Sequence, residues 1–292
     1  MTIIDQFKKE LEQKGKSNNT IKAYISDIEK FKIWLKETFD EEFSPENITT
    51  PDIVDYKSYL LNIKKRKAST VNRRLASLSA FLNWCEKEEL INKNPIKEVE
   101  GIKEIQTAPK ALNELELKRL IREAYKDKNI RNIAIIEVLA NTGLRVGELI
   151  SLTLDDISIS PRKGHLTVRE GKRDNYREIP LNKDVRKALT NYIEERPDSS
   201  SDKVFLGQRG PLKKSAIWRI VKKYADRAEV EASPHTLRHT HATLMLFQGE
   251  EPKVISERLG HSTISITLDR YSHVLPNMQQ EAADRLENAL FS

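Results

Sequence analysis

The chain has 292 residues, 38% hydrophobic and 32% charged, with 50 lysines and arginines against 44 aspartates and glutamates, a formal net charge of +6. That length allows two domains with a core each, and the composition is that of a folded, water-facing protein. No run of about 18 apolar residues offers a membrane span, the opening M-T-I-I-D-Q-F-K-K-E lacks a signal peptide's apolar core, and the single cysteine, Cys85, excludes an internal disulfide or a cysteine metal cluster, as expected in the cytoplasm.

The first part reads as helices. Ser17, Asn18 and Asn19 offer N-caps before Ile21, Tyr24, Ile25, Ile28, Phe31, Trp34 and Leu35, whose steps of three and four draw one apolar stripe. A shorter helix follows Thr50-Pro51, with Pro51 suited to a first turn. Another follows Ser69, with Val71, Leu75, Leu78, Leu82 and Cys85 on one face. Arg73 and Arg74 lie off that face, as phosphate contacts or as solvated charges. From Asn92 to Ala111, Pro95, Gly101 and Pro109 interrupt any period and predict a linker. The domains are therefore expected at 1–92, a helical domain, and 112–292, with 93–111 joining them.

The second part is mixed. Asn113 with Glu116 three residues on has the form of a capping box. Ile130 to Ala140 is apolar enough for a buried helix, and Leu166 to Glu170 and Tyr176 to Pro180 read as two strands around the polar turn G-K-R-D-N. Helices are predicted over Val185 to Ile193, Ser215 to Arg227, Pro234 to Phe247, Pro252 to Leu259 and Asn277 to Phe291. The last carries Met278, Ala282, Leu286, Ala289 and Leu290 on one side. Between Ser160 and Tyr224 there are 17 basic and 8 acidic residues, an excess of 9 that attracts phosphates or merely solvates a surface.

Five of the six histidines, His235, His239, His241, His261 and His273, fall within 39 residues. In S-P-H-T-L-R-H-T-H-A, Ser233 is a good N-cap and Pro234 a good first helical residue. His235 and Arg238 follow, three apart on one face, near a helix N-terminus that suits a phosphate. Arg238 can grip two oxygens with its planar fork, and His235 can exchange a proton near neutrality. His239, four after His235, has the spacing of a helical zinc pair, but no third ligand accompanies it. A backbone-bonded core role suits His239 and His241, and an ordinary ion pair competes for Arg238. In N-T-G-L-R-V-G-E-L, Arg145 follows a glycine turn at a helix start, where Glu148 can pair with it. Lys172 sits in the strand turn. His261 follows the helix-ending Gly260 in L-G-H-S, and Tyr271 comes ten residues later.

Taken together, these residues resemble the tyrosine recombinase, or phage integrase, family. The resemblance rests on their order: Arg in G-L-R-V-G-E-L, Lys in a strand turn, H-x-L-R-H, L-G-H-S, then Tyr. It covers residues 112–292 well, and S-N-N-T-I-K-A-Y-I-S-D-I-E-K-F matches the opening of the family's helical core-binding domain. It implies a mainly α fold with a small antiparallel sheet, a DNA-clamping helical domain and an α+β catalytic domain. The catalytic set it implies is Arg145, Lys172, His235, Arg238, His261 and Tyr271, with Glu148 in support. Arg73, Arg74, Arg173, Lys213 and Lys214 are candidate DNA contacts.

The implied chemistry breaks and rejoins double-stranded DNA recombination sites through a 3′-phosphotyrosyl link and a Holliday junction, without metal, ATP or other cofactor. The implied assembly is a homotetramer on DNA, with the C-terminal helix docking on a neighbour or packing within its own chain. The two-domain layout resembles Xer proteins or transposon-borne enzymes. The ending L-D-R-Y-S-H-V-L-P-N-M-Q-Q-E-A-A leans towards a mobile element, with chromosome or plasmid dimer resolution as the alternative. Two other classes stay open: a non-catalytic architectural DNA-binding protein and a type IB topoisomerase-like enzyme.

Overall fold

The computed structural model describes residues 1–40, 42–103, 110–169 and 176–260. The chain divides into two compact units, Met1–Gln106 and Thr107–Ser292.

The first unit is helical: α1 (Ile3–Gln13), α2 (Asn18–Phe39), α3 (Thr50–Ser58) and α4 (Ala68–Lys87). Ser17 Oγ accepts the Thr20 N–H at 3.1 Å and starts α2 where the polar cluster predicts. At the start of α3, Asp52 Oδ2 accepts the Thr49 N–H at 2.8 Å and the Thr49 hydroxyl at 2.7 Å, with Pro51 in the first turn. Helix α1 is an addition to the sequence reading. Its buried Ile4, Phe7 and Leu11 form a stripe at steps of three and four. Phe7 meets Phe81 edge-on at 5.4 Å, and Phe31 and Trp34 each lie 5.0 Å from Tyr56. Each buried aromatic contributes on the order of 1.5–3 kcal/mol.

Residues 93–103 correct the expected linker, because they pack on this unit. Pro95–Glu98 forms a 3-10 turn and Ile96 enters the core. Buried Asn94 accepts the Ile96 N–H at 3.0 Å and donates to Asn83 at 2.8 Å. The Asn72 amide donates to the Ile102 carbonyl at 2.9 Å and accepts its N–H at 2.8 Å. Side-chain amides thus satisfy a backbone that has no periodic partner.

The second unit contains α5 (Glu114–Lys126), α6 (Ile130–Thr142), α7 (Val146–Ser151), α8 (Lys183–Glu194), α9 (Lys214–Arg227), α10 (Pro234–Phe247) and α11 (Pro252–Leu259). The Asn113–Glu116 capping box is present at α5. Helix α6 is buried along Ala134 to Ala140 and runs through the core. Strands β1 (Ile157–Ile159), β2 (Gly164–Arg169) and β3 (Tyr176–Pro180) form an antiparallel sheet in that order. In its register Leu166 faces Ile179 and Val168 faces Arg177. The three-residue β1 is too short to carry a sequence period.

Asp127 joins the end of α5 to α9 through Lys223 at 2.7 Å, Arg227 at 2.7 Å and the Tyr224 hydroxyl at 2.9 Å. The architecture is mainly α with a small antiparallel sheet. No helix among the described residues is long and apolar enough to cross a membrane.

Candidate active site

Helix α6 ends at Gly143, whose φ of 67° is the left-handed conformation that glycine adopts without strain. The turn delivers Arg145 to the N-cap of α7. Glu148, one turn on, accepts the Arg145 backbone N–H at 2.7 Å and its Nη1 at 2.8 Å. Arg145 Nη2 donates to the Gly260 carbonyl at 2.6 Å.

Helix α10 starts as predicted, with Ser233 Oγ accepting the Thr236 N–H at 3.1 Å and Pro234 in the first turn. Arg238 and His235 share the helix but differ in depth. Arg238 is buried and donates through Nη1 to Gly143 O and through Nη2 to Leu259 O, both at 2.7 Å. His235 is exposed, with its ring edge-on to Trp218 at 6.1 Å.

A third arginine, absent from the sequence candidates, completes the cluster. Arg177 on β3 donates through Nε to the Arg258 carbonyl at 3.0 Å and through Nη2 to Glu148 at 3.0 Å. Its side chain is only 12% exposed. The carbonyls of Arg258, Leu259 and Gly260 are thus taken in succession by Arg177, Arg238 and Arg145. The last carbonyls of a helix lack intrahelical donors and carry its negative dipole end, so cations suit them. A signal for Arg177 exists in the sequence: strand alternation puts it on the same side as inward-facing Ile179.

Burial alone would raise the Glu148 carboxyl. The Arg177 charge, with hydrogen bonds from the Arg145 N–H and both guanidinium groups, holds it below the ordinary carboxylate value. Nearby, His241 Nε2 accepts Arg258 Nε at 3.0 Å, and its Nδ1 faces the Ala140 carbonyl at 3.2 Å. Those partners fit a neutral ring with Nδ1–H donating. Burial, aided by the Arg258 charge, pushes His241 down to about 3. It is the backbone-bonded structural histidine that the sequence allowed. No group of three or more His, Cys, Asp and Glu residues that could hold a metal occurs among the described residues.

Lys213 caps α9 and Lys214 begins it, both exposed. The Lys214 ammonium lies 3.6 Å from where a Cβ on Gly147 would stand, within the helix that Arg145 starts. In the first unit, Arg73 pairs with buried Asp27, which also accepts Ser77 Oγ at 3.0 Å, while about half of the arginine side chain stays exposed. Arg74 is mostly buried: its side chain is 12% exposed, donates to the Tyr56 hydroxyl at 3.2 Å and lies 3.9 Å from Asp27. Lys172, Arg173, His261, Tyr271 and the helix expected over 277–291 lie outside the described residues. A cleft of 760 Å³ beside Arg131, Tyr192, Leu206 and Arg219 shares no residue with the arginine cluster.

Comparison with known proteins gives concordant matches. Residues 110–278 match the phage integrase family, and residues 3–92 match the phage integrase N-terminal SAM-like domain. The tyrosine recombinase XerA of Pyrococcus furiosus is 35% identical over 295 residues, covering 99% of this chain and 96% of that protein. A XerH site-specific recombinase, solved on a palindromic difH substrate after cleavage, is similar in fold with a TM-score of 0.76 at 20% identity. That match covers 94% of this chain and 84% of the other. A lambda integrase tetramer bound to a Holliday junction gives 0.72 at 21% identity, over 89% and 76% of the two chains.

Proposed function

The chain belongs to the phage integrase family of tyrosine recombinases, enzymes that break and rejoin DNA, and from that premise we propose a division of labour among its residues. Tyr271 is the nucleophile: its phenolic oxygen bonds to the scissile phosphorus as the P–O5′ bond breaks. His235 accepts the phenolic proton, which the group needs to lose because its ordinary pKa is about 10. Lys172 protonates the departing 5′-oxygen. Arg145, Arg238 and His261 donate to the non-bridging oxygens, where charge grows during attack. Glu148 orients Arg145. The resulting 3′-phosphotyrosyl link retains the energy of the phosphodiester. A second strand's 5′-hydroxyl can then reverse the step without ATP.

The observation that carries this reading is the convergence of Arg145 and Arg238 on neighbouring carbonyls, Gly260 and Leu259, at the helix end that leads directly into His261. Arg145 keeps N–H donors for a phosphate beyond its bonds to Glu148 and Gly260, since a guanidinium has five. Tyr271→Phe tests it on a nicked suicide DNA site. The variant should bind the site as the wild type does and leave no covalent adduct on a denaturing gel. An adduct that persists in Tyr271→Phe sinks the assignment.

The same reading extends to assembly and role. Four protomers pair two DNA sites and exchange strands through a Holliday junction, a stoichiometry supported by the lambda integrase structure. The segment 277–292 docks on the neighbouring protomer. The resemblance of the segment after Tyr271 to mobile-element integrases supports integration, excision or resolution of a mobile element. The alternative, resolution of chromosome or plasmid dimers, is supported by near-full-length similarity to a Xer recombinase. Inverted repeats immediately beside the gene that serve as substrates would favour the mobile element, and a distant chromosomal site would favour dimer resolution.

A further inference from the structure

Arg145 is fixed by Glu148, but Glu148 itself stands on α7, a helix of six residues. Its Oε1 is taken by Arg145 Nη1, while Oε2 receives both the Arg145 N–H and Arg177 Nη2. Arg177 comes from a different element, the sheet, where the pairing of β2 with β3 fixes its position opposite Val168. It also donates through Nε to the Arg258 carbonyl in the last turn of α11. One rigid fork therefore spans the carboxylate that orients Arg145 and the helix end to which Arg145 and Arg238 are attached.

The side chains of Arg177 and Glu148 are 12% and 14% exposed. Desolvating such a pair is costly, and well-packed apolar residues often serve stability as well or better. Stability alone gives little reason for an arginine beside Ile179. A lysine would keep the charge at this position but lacks the planar fork that reaches two acceptors in different directions.

We infer that Arg177 is a positioning residue for strand cleavage, holding Glu148 and the end of α11 at one separation so that Arg145 meets the phosphate in register. The inference rests on the catalytic reading of Arg145 given above. A misplacement of about 1 Å at a reacting centre can cost on the order of 100-fold in rate.

The test uses the full chain and the nicked suicide DNA site, with the scissile phosphate either natural or replaced by an uncharged methylphosphonate. Arg177→Lys should melt within a few degrees of the wild type and bind DNA within about twofold. It should form adduct roughly 10- to 100-fold more slowly on the natural phosphate. The defect should shrink on the methylphosphonate, where less charge needs Arg145; a general loss of folded protein would slow both substrates alike. Adding Glu148→Gln to Arg177→Lys should make the rate no worse than about threefold below the slower single variant, because both act through Arg145. Arg177→Gln provides a second, neutral variant if the lysine fails to fold.

Cleavage by Arg177→Lys at the wild-type rate would overturn the role of Arg177 alone, as would equal slowing on both substrates or a fully multiplicative double variant. Absence of adduct with the wild type on its own site would overturn the catalytic reading itself, and this inference with it.

Discussion

Gly143→Ala should damage the second unit far more than its added methyl suggests. Gly143 has a φ of 67°, where an L-residue is strained by roughly 1–2 kcal/mol. The new Cβ would also stand 2.6 Å from Leu259 Cδ2 and 2.9 Å from His241 Cδ2. Neither neighbour can swing away. Leu259 is fully buried, and the His241 ring is held between the Ala140 carbonyl and Arg258. Overpacking of this kind costs about 1–3 kcal/mol, so the sum is about 2–5 kcal/mol. For a unit of this size that lowers Tm by roughly 5–20 °C. Gly15→Ala is the matched control, with a φ of 66° and no atom within 4 Å of the new Cβ. It should show the conformational strain alone. Calorimetry and urea titration of both variants would measure the difference. If Gly143→Ala loses no more stability than Gly15→Ala, the packing around the α6 turn is looser than argued. Adduct formation should fall too, because the Gly143 carbonyl holds Arg238.

Three further outcomes are expected. Since His241 sits at about 3 when folded and near 6.5 when unfolded, the unfolded chain takes up the proton first. Stability should therefore hold above pH 6.5 and fall towards pH 3 by up to about 1.4 kcal/mol per unit, and urea melts at pH 7 and 5 should show His241→Gln losing less of it than the wild type. Lys172→Ala should cleave natural DNA slowly and recover on a 5′-bridging phosphorothiolate, whose sulfur leaves without a proton; equal defects on both substrates would reassign the acid, with Arg173 the next residue to test. Removal of residues 277–292 should leave a folded protein that binds one DNA site but forms no four-protomer complex by light scattering, and persistence of that complex would separate assembly from this segment.

Local chemistry made much of the fold legible. The Ser233-Pro234 start of α10, the Asn113–Glu116 box of α5 and the Gly260 end of α11 are each specified by a few neighbouring residues. What escaped depends on distant partners. Residues 93–103 carry the breakers of a linker, yet Asn72 and Asn83 of α4 satisfy their polar groups. Arg74 looks like a surface charge until Asp27 and Tyr56, from two other helices, are seen beside it. At the site, Arg145 with Glu148 could be read from a spacing of three. The attachment of Arg145 and Arg238 to the end of α11 could not, because it joins residues 115 and 21 positions apart. Arg177 was hidden by its company, for Y-R-E in a strand reads first as solvated edge.

If Arg145 and Arg238 hold the scissile phosphate as proposed, the net charge of the arginine cluster matters to the rate. Arg145, Arg177 and Arg238 contribute three positive charges and Glu148 removes one. The end of α11 subtracts about another half through its dipole, which leaves roughly +1.5. A phosphodiester at rest carries about −1, and its oxygens move towards about −2 as the fifth bond forms. A fixed charge of about +1.5 leaves about +0.5 over beside a resting phosphate and about −0.5 beside the pentacoordinate arrangement, so its attraction grows as the fifth bond forms. Fixed charges of this size favour the transition state over the bound substrate, which is the part of binding that accelerates a reaction.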